Sequence, residues 1–129
     1  MVTRVARPGY MTEGAEVRQG TFGMGGATGN VRAAIKSVVG AIEPAATVIL
    51  YGSRARGTAK ADSDWDLLIL VDGPVDAARK RAIRNALYEL EWSCGEVITS
   101  AIKSRTTWAE PRFKVSPFYL AVERDGVIL

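Results

Sequence analysis

Apolar positions after residue 27 follow first the period of a helix and then the pattern of buried strands. Val31, Ile35, Val38 and Ile42 recur every three or four residues, which predicts a helix, and Pro44 ends it. The runs TVILY and DWDLLILV are short and apolar, which is typical of strands buried in a sheet. In chain order the pattern predicts a helix from Thr28 or Asn30 to Pro44, strands at 47–51 and 64–71, a helix at 75–92, a strand at 96–102, a short helix capped by Ser104, a helix at 116–126 and a short strand or tail at 127–129.

This alternation of helices and strands predicts an α/β (α+β) fold, in which a small mixed β-sheet is backed by helices. The chain has 129 residues, the length of one ordinary domain, and we assign that domain to 27–129. Residues 1–26 are rich in glycine and show neither a helical nor a strand period, so we predict a flexible N-terminal tail there. The GMGG run within the tail follows no apolar strand, which argues against a phosphate loop.

Composition narrows the classes of function. The chain contains no histidine, which excludes histidine-based acid–base chemistry and most zinc sites. The net charge of +3 is too small and too scattered to indicate binding to duplex nucleic acid or to a membrane surface. No apolar run approaches the roughly 18 residues that a membrane-spanning helix needs. The single cysteine, Cys94, cannot form an internal disulfide, so we expect a reducing, cytoplasmic environment.

The loop GSRARG follows the first predicted strand directly. A glycine at position 52 allows a close backbone approach that a Cβ atom would forbid. If the chain turns into a short helix there, the backbone amides of Ser53, Arg54 and Ala55 point outward together and can bind phosphate, with the Ser53 hydroxyl adding one more bond. Arg54 and Arg56 can then reach flanking phosphate oxygens. The alternative from this motif alone is a solvated, basic loop tip.

Two aspartates at the start of the second strand favour the phosphate site. Because side chains alternate along a strand, Asp64 and Asp66 share one face while Trp65 points into the core. Two neighbouring carboxylates repel each other, and a divalent cation removes that repulsion. Mg²⁺ prefers a few carboxylates together with phosphate oxygens. The sequence therefore predicts a metal mount at Asp64 and Asp66 beside a phosphate cradle.

The spacing of Gly52-Ser53, ten further residues and Asp64-Trp65-Asp66 before LLIL resembles the nucleotidyltransferase superfamily that includes DNA polymerase beta. The resemblance covers about 28–129 and is strongest to minimal nucleotidyltransferases. It implies Mg²⁺ (or Mn²⁺) and transfer of a nucleoside monophosphate, with AMP from ATP as our first choice. It also implies an antitoxin role beside a HEPN-domain protein. The matching site residues are Asp64 and Asp66 for catalysis and metal, and Gly52, Ser53, Arg54 and Arg56 for the nucleotide.

One position departs from that family pattern. A third carboxylate is expected on the following strand, where it can act as general base. The register places Thr99 at this position. Glu96 is the only acid of the predicted strand, but its three-residue offset from Thr99 points it to the opposite face. Either Glu96 serves nonetheless, or the aspartate pair alone holds the metal.

Three functions therefore remain open from the sequence. The first is nucleotidyl transfer to a hydroxyl group, with a tyrosine of a HEPN-type protein as one candidate acceptor. The second is a weak or inactive NTP-binding module that covers a partner, with the apolar side of the last helix as its first candidate surface. The third is a basic single-strand binder, which the spacing of aromatic and basic residues disfavours, so we expect no direct nucleic-acid ligand. The alternative for these apolar residues is packing in the core of the domain itself. The residues concerned are Phe118, Tyr119, Leu120 and Val122.

Overall fold

The structure, a computed structural model, describes residues 28–129, so the tail predicted for 1–26 lies outside the described residues. The elements are α1 (Thr28–Ile42), β1 (Thr47–Tyr51), α2 (Ser53–Arg56), β2 (Trp65–Val71), α3 (Ala77–Cys94), β3 (Ile98–Ser104), α4 (Arg105–Trp108), a 3-10 helix (Phe113–Val115), α5 (Pro117–Asp125) and β4 (Val127–Ile128). This order confirms the predicted alternation of helices and strands.

The four strands form one mixed sheet in the order β3-β2-β1-β4. β1 pairs antiparallel with β2 and with β4, whereas β2 and β3 run parallel. The mixed sheet confirms the predicted fold class. β2 has partners on both edges and is buried on both faces, which explains why its sequence is almost continuously apolar.

Helices cover both faces of the sheet. On the first face, α1 and α3 pack against a cluster that includes Trp65, Leu67 and Ile69. On the second face, Trp108 and α5 pack against Ile49 and Leu68. None of the helices within 28–129 is both long and apolar enough to cross a membrane.

The structure moves both ends of two predicted elements by two residues, from 75–92 to Ala77–Cys94 and from 96–102 to Ile98–Ser104. α3 begins at Ala77 rather than at 75, because the Asp76 side chain accepts a hydrogen bond from the Arg79 amide and caps the helix. β3 begins at Ile98 rather than at 96, so Glu96 precedes the strand. Ser104 caps α4 and Ser116 caps α5, in agreement with the predicted starts.

The apolar side of α5 belongs to the core, which corrects the prediction of a partner surface there. Tyr119 is 6% exposed and Val122 is 1% exposed, and both belong to the cluster on the second face of the sheet. Phe118 is half-buried against that cluster. Only Leu120, at 54%, is widely exposed. The helical period alone could not distinguish a core-facing stripe from a docking stripe, because both are apolar.

The burial of α5 predicts a sharp contrast between two neighbouring positions. Val122→Ala should lower the free energy of unfolding by about 2 kcal/mol, because it leaves a cavity in the second-face cluster. Leu120→Ala should change it by no more than about 0.5 kcal/mol, since Leu120 is mostly solvated. Urea unfolding monitored by tryptophan fluorescence measures both. Equal effects of the two variants would contradict the core assignment.

Candidate functional site

Three neighbouring strands present side chains in one row on the second sheet face, at the end of the sheet where β1 ends and where β2 and β3 begin. Asp66 of β2 lies between Tyr51 of β1 and Thr99 of β3 in the strand register. Asp66 is half-buried, and Thr99 is exposed. Asp64, also exposed, lies just before β2, and its Oδ2 accepts a long hydrogen bond of 3.4 Å from Thr99 Oγ1. The predicted aspartate pair is therefore anchored at a strand edge next to β3.

Gly52 joins this row to the turn that the sequence predicted to bind phosphate. Its φ of 78° and ψ of −160° define a backbone conformation that is essentially restricted to glycine. A Cβ atom placed on Gly52 would overlap Asp66 Oδ2 and would lie 3.3 Å from Asp66 Cγ. The backbone of the turn thus lies directly against the carboxylate of β2, which is possible only without a side chain at position 52.

The turn after Gly52 is the predicted short helix, α2, which is one turn long. Ala55 and Arg56 both donate their backbone amides to the Gly52 carbonyl at 3.0 Å. The Ala55 amide predicted to face a phosphate is therefore used inside the turn. The amides of Ser53 and Arg54, as the first two of the helix, have no acceptor within it. A phosphate contact is left to those two amides and to the Ser53 hydroxyl.

A side chain from α1 holds the same turn in place. Arg32 Nη2 donates to the Arg54 carbonyl oxygen at 3.3 Å, across 22 residues of sequence. Arg32 lies outside the apolar row from which α1 was predicted. Its contact with a distant carbonyl has no local sequence signal.

The environment of Asp66 disfavours its charged form. Burial raises the pKa of Asp66 above its ordinary value, and the negative charge of Asp64 raises it further. The positive charge of Arg56 acts in the opposite direction. A cation beside Asp64 and Asp66 would relieve both the desolvation and the repulsion, so this carboxylate pair is chemically suited to a divalent metal.

Thr99, the residue that the predicted register put at the expected third acidic position, pairs with Asp66 between β2 and β3. Among residues 28–129, no group of three or more Asp, Glu, Cys or His side chains could hold a metal ion. Glu96 does not provide the third carboxylate. Its Oε1 accepts hydrogen bonds from the Trp65 indole at 2.9 Å and from Arg54 at 3.3 Å. Trp65 belongs to the first sheet face, opposite Asp66, so Glu96 faces away from the pair.

The guanidinium of Arg54, which the sequence predicted to reach a phosphate, is hydrogen-bonded within its own loop. Arg54 donates from Nε and Nη2 to the Ser63 carbonyl at 3.3 and 3.0 Å, and from Nη2 to the Ala61 carbonyl at 3.2 Å. It also lies 4.6 Å from the Trp65 ring centroid and pairs with Glu96. Phosphate binding by Arg54 stays a prediction, and it would require the guanidinium to give up some of these contacts.

Arg56 is held beside the site by the end of α5. Its Nη1 donates to Asp125 Oδ2 at 3.0 Å, and 44% of its side chain is exposed. Asp125 is 6% exposed in its side chain and also accepts hydrogen bonds from Arg124. Bonds from Arg124 and Arg56 hold the pKa of Asp125 below its ordinary value, so it stays charged at neutral pH. The sequence pattern gave no signal for this link, because Asp125 is 69 residues from Arg56.

An aromatic wall borders the other side of Asp66. The Tyr51 ring meets the Phe118 ring edge-on, with centroids 5.4 Å apart. Burial raises the pKa of Tyr51, and the negative charge of Asp66 raises it further, so its phenol is neutral at physiological pH. Neither aromatic residue was predicted to border the site.

Comparison with protein families identifies the domain that carries this site. The model of the nucleotidyltransferase domain matches residues 32–111, which is more than half of the chain and spans Gly52, both aspartates and Thr99. The chain belongs to the nucleotidyltransferase domain family. No curated protein sequence matches it closely enough to count as a relative.

Solved structures support the fold of this nucleotidyltransferase domain. One chain, from a structure described as "Crystal structure of the toxin-antitoxin with AMP-PNP", superposes with a TM-score of 0.52. The two sequences are 16% identical, and the match covers 74% of this chain and 68% of the other. At this identity the likeness concerns the arrangement of the elements.

The contact between Gly52 and Asp66 predicts a strong coupling between these positions. Gly52→Ala should destabilise the domain through backbone strain and, by a further ~2 kcal/mol, through overlap with the carboxylate. Asp66→Ala removes the overlapping atoms, so the double variant should recover this second part. A double-mutant cycle in urea measures the coupling directly.

Gly57 provides the matched control for that cycle. Its φ is 82°, but a Cβ atom placed there would meet nothing within 4 Å. Gly57→Ala should therefore cost about 1–2 kcal/mol from the left-handed backbone alone and show no coupling to Asp66. A coupling at Gly52 no larger than at Gly57 would contradict the close contact.

The raised pKa of Asp66 predicts a pH-dependent gain in stability on its neutralisation. The native state binds a proton more tightly than the unfolded state, so stability falls as pH rises from the ordinary value of 3.8 through the raised value. In metal-free buffer, Asp66→Asn should therefore gain stability relative to the parent over this interval and keep the gain at pH 7. Thermal unfolding of both proteins from pH 3 to pH 8 tests this. A difference that does not change with pH would refute the desolvated carboxylate.

Proposed function

We propose that this nucleotidyltransferase domain transfers AMP from ATP to a hydroxyl group of a HEPN-type toxin partner in the cytoplasm, and so acts as an antitoxin. The observation that carries the proposal is the contact of the Gly52 turn with the desolvated Asp66 carboxylate. This contact puts the first backbone amides of α2 next to two acids that are costly to leave without a cation. The structural neighbour's toxin–antitoxin context and its AMP-PNP support the choice of nucleotide and partner.

Asp64 and Asp66 would hold Mg²⁺ or Mn²⁺, whose contribution when bound is to neutralise phosphate charge and to orient the reacting oxygens. The Ser53 hydroxyl and the first amides of α2 bind the triphosphate. Arg56, held by Asp125, balances charge on the departing pyrophosphate. The acceptor oxygen forms a bond to the α-phosphorus, the bond from that phosphorus to the bridging oxygen breaks, and pyrophosphate leaves.

The proton of the acceptor hydroxyl has no carboxylate to receive it at position 99. General-base assistance contributes about 10²–10⁴-fold to such reactions, so this domain should be slow. A tyrosine acceptor reduces the deficit, because a phenol with a pKa of about 10 ionises far more readily than a sugar hydroxyl. We therefore favour a tyrosine of the partner protein as acceptor over the end of a nucleic acid.

A second candidate function is an NTP-binding module that neutralises a partner without transfer. Thr99 at the third acidic position is the observation that favours it. The two functions share the nucleotide site and differ in whether a labelled product forms.

The metal assignment predicts a binding defect that depends on both aspartates. Calorimetry with Mn²⁺ and AMP-PNP should show binding by the parent, and the double variant Asp64→Asn with Asp66→Asn should lose at least about 10-fold in affinity, because the cation loses its charged ligands. Asp62→Asn is the matched control. Asp62 is exposed in the same loop, and this change should leave affinity intact. Equal binding by all three proteins would contradict the assignment of the metal to Asp64 and Asp66.

The vacant acidic position predicts a gain of activity. With α-labelled ATP and the co-purified toxin, the parent should add one or a few AMP units per partner chain slowly. Thr99→Asp should raise the rate by about 10²-fold, because it supplies a base beside Asp66. Thr99→Asn is the uncharged control and should give no increase.

Glu96→Gln distinguishes the two alternatives that the sequence left open, namely that Glu96 serves as the third acid or that the aspartate pair acts alone. It should leave the transfer rate unchanged while it lowers stability, since Glu96 bonds Trp65 and Arg54. No labelled partner in any variant, alongside intact AMP-PNP binding, would favour the binding module over the enzyme.

A further inference from the structure

The charges along α3 run against the preference of an isolated helix. Arg79, Lys80, Arg81 and Arg84 occupy its N-terminal half, and Glu89 and Glu91 its C-terminal half. The helix dipole favours the opposite arrangement, with acids in the first turn and bases in the last. Contacts within the described chain account for Arg79, which pairs with Glu43, and for Glu91, which accepts from the Ile98 amide. Arg84 Nη2 also donates to the Ser100 carbonyl, at 3.5 Å. These contacts do not account for the overall polarity of the exposed surface.

The side of α3 that faces away from the sheet carries a row of residues typical of protein interfaces. Arg81, Asn85, Tyr88 and Trp92 are all exposed and follow one another at spacings of four, three and four residues. This is the spacing of a seam between two packed helices. Trp92 is 76% exposed and Tyr88 is 57% exposed, and their rings meet edge-on with centroids 6.2 Å apart. Arg, Tyr and Trp are the residues most enriched at binding hot spots.

This row is complementary to itself in the antiparallel direction. If two copies of α3 align head to tail about a point between Ala86 and Leu87, Arg81 of each copy lies opposite Trp92 of the other. Asn85 lies opposite Tyr88 in the same register. An arginine over a tryptophan ring is a favourable cation–π arrangement. The basic half of each helix then lies along the acidic half of its partner, which explains the unusual order of charges.

We propose that α3 is a self-association surface, on which a second copy of this chain packs its own α3 antiparallel across a two-fold axis. An 18-residue helix is about 27 Å long, which gives a seam of useful length. A groove of about 470 Å³ between α1 and α3, lined in part by Ile42 and Glu89, borders the seam and allows contact beyond one helix. α3 covers the first sheet face and the aspartate pair lies on the second, so the dimer leaves both nucleotide sites open. The proposal therefore does not depend on the proposed function.

Sedimentation equilibrium of the full chain between about 5 and 300 μM tests the self-association. The parent should approach the mass of a dimer as concentration rises. Trp92→Arg sets two arginines against each other in the proposed register, and should weaken dimerisation at least about 10-fold. Val115→Arg adds the same charge at a position that is also 76% exposed but lies on the other side of the sheet, and should dimerise like the parent.

A swapped variant tests the antiparallel register itself. Arg81→Trp combined with Trp92→Arg restores an arginine opposite a tryptophan at both ends, so dimerisation should return toward the parent value. Circular dichroism confirms that each variant is folded. A monomeric parent across the whole range would overturn the proposal. So would a dimer that is unaffected by Trp92→Arg. A monomer that binds the toxin partner through Trp92 would also overturn it and would assign the face to that partner.

Discussion

The close approach of the Gly52 backbone to the Asp66 carboxylate is the contact on which the site depends. It brings the end of β1, the one-turn helix α2 and the start of β2 into a single edge. Any side chain at position 52 would displace the carboxylate, and a residue other than glycine would resist the backbone angles. The turn proposed to bind phosphate and the aspartate proposed to bind a cation are thus joined by one contact.

The same contact sets the electrostatics of the nucleotidyltransferase domain. Packing the turn against Asp66 removes water from one carboxylate, while Asp64 adds a like charge nearby. Residues that are distant in the sequence stabilise this arrangement by direct hydrogen bonds. Arg32 holds the carbonyl of the turn, and Asp125 holds Arg56 beside the site. Desolvation and repulsion at this carboxylate pair therefore lower the stability of the fold, a cost that is common at functional sites.

Sequence patterns were most informative where the physics is local. The helical period of α1, the apolar run of β2, the Gly-Ser corner and the serine caps all depend on neighbours a few residues apart. The register of β3 could also be anticipated, because Thr99 lies where the pattern placed it, beside Asp66. That spacing, together with the two aspartates, was enough to indicate the family.

The parts that could not be predicted depend on contacts between distant residues. Arg54 has the sequence context of a phosphate ligand, but carbonyls of its own loop, Glu96 and the Trp65 ring all compete for its guanidinium. The apolar stripe of α5 has the same period whether it covers the core or a partner. For α3 the charges and the exposed aromatic row are visible in the sequence, but their outward direction is known only once the sheet is placed.

The most direct measurement of the central claim is the titration of the Asp66 side-chain carboxyl by carbon-detected NMR, with and without Mg²⁺. In the metal-free protein this carboxyl should titrate above the ordinary aspartate value, since the Gly52 turn excludes water from it. Saturating Mg²⁺ with AMP-PNP should move its pKa below that value, because the cation favours the charged form. An ordinary pKa in the metal-free protein, together with no response to Mg²⁺ and nucleotide, would contradict the account.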